Sequence, residues 1–259
     1  MELVILIGLL GLLCGLLSGM LGIGGGIIMA PLLLYVPPLF GLDPLSMRVV
    51  AGLTIVQGLT AAVFGALAHH KYDRVSPVLT LWMGTTIFAA ALVGGAGAAF
   101  VSNRLLLLIF GGLAAVAAAV ILIGSDRPEA ARPEAGNLQF SRFRAVTAAG
   151  AVGLLGGLVG QGGSFLLIPL MTVFIKIPHR IALGSNLAIV LLAGAAAFAG
   201  KALTGQIEWR LAVPVVVTVI PAAYLGGHLS QKVPVAVLRR CLAVVIALAA
   251  ARIGLSLLG

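Results

Sequence analysis

Polar residues are confined to short interruptions between long apolar runs along the whole chain. Eight apolar segments fall at roughly 3–36, 47–69, 76–99, 104–123, 144–175, 181–203, 211–231 and 236–257. A helix of about 20 apolar residues crosses the hydrocarbon of a bilayer. Apolar runs of this length therefore predict an all-α membrane protein. The stretch 124–143 carries Asp126-Arg127-Pro128-Glu129 and Arg132-Pro133-Glu134. It reads as a polar linker that separates four segments from four. The organisation expected is an N-terminal transmembrane repeat over 1–123, the linker over 124–143 and a C-terminal transmembrane repeat over 144–259.

Segments 3–36 and 144–175 are too long for one ordinary span. At about 1.5 Å per residue each would run about 50 Å, against about 30 Å of hydrocarbon. Each is interrupted by glycine. Gly19-Met20-Leu21-Gly22-Ile23-Gly24-Gly25-Gly26 is followed by Pro31, and Gly157-Leu158-Val159-Gly160-Gln161-Gly162-Gly163-Ser164 is followed by Pro169. Four glycines and the proline recur at a constant offset of 138. Glycine and proline interrupt helices. In hydrocarbon the freed N–H and C=O groups need protein, water or a ligand as partners. Each long segment is thus expected to be helix–break–helix, folded as a hairpin or re-entrant. A strongly tilted or kinked single span is the alternative.

The likeness between the halves extends further. Arg48-Val49-Val50-Ala51-Gly52-Leu53-Thr54 matches Arg180-Ile181-Ala182-Leu183-Gly184-Ser185-Asn186, and Leu92-Val93-Gly94-Gly95 matches Tyr224-Leu225-Gly226-Gly227. Asp73 falls near Glu208. The chain reads as an internal duplication. Charge favours the hairpin. If each long segment returns to its starting side, eleven of the 16 Lys and Arg share one face, leaving Arg48, Arg104, Lys201, Arg210 and Arg252 on the other. That bias follows the positive-inside rule. It makes the two repeats inverted and puts both termini outside the cytoplasm.

Composition agrees with the pattern. The 259 residues are 61% hydrophobic and 9% charged, with a mean hydropathy of +1.20. A soluble domain is about a quarter charged. The net charge of +9 sits between apolar segments. Lipid headgroups explain it there, so no nucleic-acid partner is implied. Cys14 and Cys241 both lie in apolar segments and read as small core residues. The first segment, starting at Glu2, lacks a basic n-region and an A-x-A site, so it is not expected to be a cleaved signal peptide.

Two glycine-broken segments in matching halves point to a transporter binding site. A helix that begins inside the membrane aims free N–H groups and the positive end of its dipole at what lies before it, which suits an anion. The candidate binding residues are Gly24, Gly25 and Gly26 in the first copy and Gln161, Gly162, Gly163 and Ser164 in the second. Close helix packing through Gly15–Gly19 and Gly22–Gly26 is the competing reading. Thr54, Ser185 and Asn186 follow the breaks and could donate to oxyanions or bond to neighbouring helices. Arg48 and Arg180 begin equivalent segments. They read as snorkelling helix-end arginines or as an electropositive entrance for anions.

The acids inform by their positions. Glu2, Asp43, Asp73, Asp126, Glu129, Glu134 and Glu208 all lie at segment ends or in loops. An intramembrane carboxylate relay is therefore not expected. His69, His70, His179 and His228 and the two cysteines have no metal-ligand spacing, so no metal or cofactor is implied. No Walker sequence or nucleophile–base constellation appears, and no catalytic residue is assigned. The chain is not expected to be an enzyme.

At these motifs the chain resembles the TauE/SafE family of membrane permeases. Ser18-Gly19-Met20-Leu21-Gly22-Ile23-Gly24-Gly25-Gly26 with Pro31, Gly156–Gly163 with Pro169, and the downstream Gly52-Leu53-Thr54 and Gly184-Ser185-Asn186 carry the resemblance over nearly the whole chain. It implies a multi-pass protein of the bacterial inner membrane that transports sulfite, sulfoacetate or another organosulfonate. An anion channel, or a transporter of a different small anion, is the alternative. The partners expected are a small anionic substrate and the lipid bilayer. Coupling to H+ or Na+ and simple uniport all fit, and no oligomeric state is implied.

Overall fold

A computed structural model describes residues 1–21, 26–68, 75–123, 140–161 and 163–229. Among these residues all regular structure is helical. The order is α1 (Glu2–Leu21), α2 (Gly26–Leu39), α3 (Met47–Ala68), α4 (Pro77–Gly97, running into a 3-10 turn Ala98–Phe100) and α5 (Asn103–Ile123). It continues with α6 (Arg142–Val159), α7 (Ser164–Pro169, running into a π-helical turn Leu170–Phe174), α8 (His179–Leu203) and α9 (Trp209–Leu229). The first seven expected segments are all found. Segment 144–175 divides into α6 and α7 at the glycine break; in segment 3–36 the described residues form α1 up to Leu21 and α2 from Gly26, and 22–25 lie outside the described residues. The eighth segment, 236–257, and most of the linker lie outside the described residues.

Six helices among the described residues are long and apolar enough to cross a membrane: α1, α3, α4, α6, α8 and α9. Their outward surface is apolar. Leu9, Leu81, Val93, Val217 and Leu225 are all more than half exposed. In water such a girdle would be an association hazard, whereas lipid covers it without cost. At the start of α6, Arg142 stacks over Trp82 with 5.1 Å between guanidinium carbon and ring centre, and Arg144 lies 5.8 Å over Phe174. Amphipathic pairs of this kind suit the membrane interface.

The halves interlock rather than pack side by side. Helix α1 packs most extensively on α9, and α6 on α4; α4 also packs on α8, and α3 on α9. Glycine and alanine make these approaches possible. A Cβ at Gly19 would overlap the carbonyl oxygen of Ala223, and one at Gly157 would lie 2.5 Å from that of Ala91. Similarly, Gly226 abuts Leu16 O, and Gly94 abuts Leu154 O. Gly19 and Gly157 are 138 apart, as are Leu16 and Leu154; Ala91 and Ala223, and Gly94 and Gly226, are 132 apart. The glycines before each break therefore serve helix packing, as the competing sequence reading held for Gly15 and Gly19.

This packing makes a stability prediction. Gly157→Val should cost about 3 kcal/mol through overpacking against the α4 backbone. At Gly112, an exposed position where a Cβ meets nothing within 4 Å, the same change should stay within about 0.5 kcal/mol. Thermal unfolding of the two detergent-purified variants checks the contrast. Equal effects would show that α4 and α6 are not held this close.

Candidate functional site

The second break is built by two left-handed glycines. Helix α6 ends at Val159, and Gly160 follows with φ 74° and ψ 28°. Gln161 N donates to Gly156 O at 2.8 Å, which closes the last turn. Gly163, at φ 72°, opens α7. Only glycine adopts such φ values at no steric cost. Gly160 also lies so close to α3 that an added Cβ would overlap Ala51 O. The break is thus seated directly on the backbone of α3.

Gln161 sits between these glycines and is 7% exposed. Neither its Nε2 nor its Oε1 has a hydrogen-bond partner among the described residues. Beside it lies the first residue of α2. A Cβ at Gly26 would be 3.6 Å from Gln161 Cα, 3.7 Å from Gln161 Cγ and 3.6 Å from Thr54 O. The structure therefore brings together Gly26 from the first break, Gln161 from the second and Thr54 from α3. Leaving a buried amide unpaired costs about 1–3 kcal/mol per group. Such a group is tolerated where a ligand or water completes it.

The other sequence candidates divide. Thr54 is fully buried and its Oγ1 donates to Ala51 O at 3.2 Å. Ser185 is engaged elsewhere: its Oγ accepts from Ser76 N, at the start of α4, at 3.0 Å. Asn186 is 2% exposed, and its Oδ1 has no partner among the described residues. Arg48 is half-buried. Its Nη2 donates to Val101 O at 3.1 Å, its backbone N donates to Asn103 Oδ1 at 3.2 Å, and its Nε is buried without a partner among the described residues. Gly24, Gly25 and Gly162 lie outside the described residues. The backbones of Ser164 and Arg180 belong to α7 and α8, and their side chains lie outside the described set.

Lys201, which the charge count assigns to one membrane face, is fully buried. Its Nζ donates to Leu158 O at 3.1 Å and to Gln206 Oε1 at 3.4 Å. Gln206 in turn donates through Nε2 to Gly95 O at 2.8 Å and to Thr204 Oγ1 at 2.5 Å. Lys201 lies two residues before the end of its apolar segment, where a long side chain normally snorkels to headgroups. Here the last turn of α6 and the loop after α8 close over it. Sequence held one signal: the offset that pairs Arg48 with Arg180 pairs His69 with Lys201, a basic residue in each copy. A second buried pair was also missed. Gln57 Nε2 donates to Ser18 Oγ at 2.9 Å and ties α3 to α1 just before the first break.

The comparisons with known proteins agree with this architecture. A family model described as "Sulfite exporter TauE/SafE" matches residues 7–253. The chain is 23% identical to the probable membrane transporter protein YunE of Bacillus subtilis, over 90% of this chain and 89% of that protein. It is 26% identical to the probable membrane transporter protein MamO of Magnetospirillum gryphiswaldense, over 90% of this chain but 42% of MamO. A probable membrane transporter protein of Haemophilus influenzae is 29% identical over 33% of this chain and 31% of its own length. No solved structure matches. Relatives named as transporters and six helices of spanning length describe an integral, multi-pass membrane transporter, and bacterial relatives are consistent with the bacterial inner membrane. By the match over nearly its full length, the chain belongs to the TauE/SafE sulfite exporter family.

Proposed function

We propose that this chain is a secondary transporter that moves a small sulfur-containing oxyanion, such as sulfite, sulfoacetate or another organosulfonate, by alternating access. The observation that carries this reading is the junction of Gly26, Thr54 and the amide of Gln161, which has no partner among the described residues. Backbone N–H groups at two glycine breaks, beside a buried amide with no partner among the described residues, suit an oxyanion. Gly24, Gly25, Gly162, Gly163, Ser164, Ser185 and Asn186 complete the proposed site around both breaks. Arg48 and Arg180 form electropositive entrances to it. No enzymatic step is required.

Alternating access needs two halves that can exchange roles. We assign 1–123 and 144–259 to inverted repeats joined by the linker. The matched contacts of Gly19 with Ala223 and Gly157 with Ala91 support that assignment, because each links the first helix of one half to α9 or α4, the helices of the other half that carry the matching Gly226-Gly227 and Gly94-Gly95 pairs. The described acids Glu2, Asp43 and Glu208 stand at or beyond helix ends. A coupled proton can travel on the anion itself, with no carboxylate relay in the protein.

Thermal unfolding of the detergent-purified protein with sulfite, sulfate, thiosulfate, sulfoacetate, taurine and small carboxylates tests the substrate class. A ligand at about 100 times its Kd stabilises by about 2.7 kcal/mol. Selective stabilisation by a sulfur oxyanion is expected. Stabilisation by carboxylates alone would move the substrate to another anion class.

A further inference from the structure

A fully buried lysine, Lys201, bonds to Leu158 O, three residues before Gln161 of the junction, and the proposed function gives it no role. The two acceptors of Lys201 both belong to segments seated on one turn of α3. Leu158 lies two residues before Gly160, which abuts Ala51 O, while a Cβ at Gly52 would lie 2.6 Å from Gln206 O. The next residues of α3 lead to Thr54, where Gly26 and Gln161 meet. No carboxylate among the described residues pairs with Lys201.

Two neutral carbonyl-type acceptors do not neutralise a buried cation. The C-terminal end of α6 adds a partial negative charge at most. Desolvating a full charge is expensive unless an opposite charge compensates it. An ammonium has three N–H donors, and two are used here. In its protonated form Lys201 keeps one donor unused among the described residues and one unit of positive charge, and its acceptor Leu158 lies three residues before Gln161, whose amide donor and acceptor are both unpaired among the described residues.

We propose that Lys201 is the fixed counter-charge of the anion site, holding an oxyanion at the second break together with the Gln161 amide. The Gln206 side chain is then a positioning group. Its own bonds to Gly95 O and Thr204 Oγ1 orient Oε1 toward the ammonium. The inference rests on the anion-transport reading and adds to it the residue that supplies the charge.

The test compares wild type with Lys201→Gln and Gln206→Glu, measuring binding of sulfite and sulfoacetate to the purified proteins. Lys201→Gln keeps a donor for Leu158 O and removes the charge. Gln206→Glu keeps the lysine and supplies an internal carboxylate that competes with the anion. Both variants are expected to bind at least tenfold more weakly than wild type. Gln206→Glu, with its new ion pair, should unfold at no lower a temperature in the absence of anion. If Lys201 only caps α6, Gln206→Glu will bind within twofold of wild type, as will any folded Lys201→Gln, and the inference fails while the transporter reading stands. Wild type that binds neither anion would overturn both.

Discussion

Replacing Gly160 by alanine should abolish transport and remove about 3 kcal/mol or more of stability. Two costs add at this residue. Its φ of 74° lies in the left-handed region, where an L side chain costs about 1–2 kcal/mol. The new methyl group would also occupy the space of Ala51 O. Backbone cannot swing aside as a flexible side chain can, so the break would have to lift from α3. Overpacking of this kind costs about 1–3 kcal/mol. Gly205 separates the two terms. It has nearly the same φ, 68°, but an added Cβ there meets nothing within 4 Å. Gly205→Ala should therefore lose only the conformational part, about 1–2 kcal/mol. Thermal unfolding and anion uptake measured on both variants test the difference. If they behave alike, the seat of the break on α3 is not as close as described.

Gln161→Leu should separate stability from binding. The native amide is 7% exposed and has no partner among the described residues. An apolar side chain of similar size removes that debt and should stabilise the anion-free protein by about 1–3 kcal/mol. The same change removes a donor from the junction with Gly26 and Thr54. Anion affinity should then fall at least tenfold, about 1.4 kcal/mol. Most buried substitutions destabilise, so the opposite sign is diagnostic of a site held ready for a ligand. A destabilised Gln161→Leu with unchanged affinity would return the residue to a packing role.

Hydrophobic run length was enough to draw the helices. Segments 47–69 and 76–99 are found as α3 and α4 within a few residues. The glycine break of 144–175 was legible because glycine and proline have a local, position-specific effect on backbone. Gly160 and Gly163 turn the chain where the sequence motif lies. Side-chain partnerships were less legible. Ser185 turns to Ser76, 109 residues away in sequence, and no local pattern encodes that choice. The burial of Lys201 was not legible because its depth depends on how α6 and the loop after α8 cover it. Glycine spacing likewise served two purposes that one motif cannot separate. Gly19 and Gly157 bring helices together, while Gly160 and Gly163 make the turn.

Counterflow of labelled sulfite or sulfoacetate into proteoliposomes preloaded with the unlabelled anion tests whether the meeting point of Gly26, Thr54 and Gln161 is the substrate site of a sulfur-oxyanion transporter. Saturable exchange that the purified wild type supports and Gln161→Leu loses is expected. Exchange of neither anion by folded, reconstituted protein, or a flux that rises without saturation as a channel's would, contradicts it.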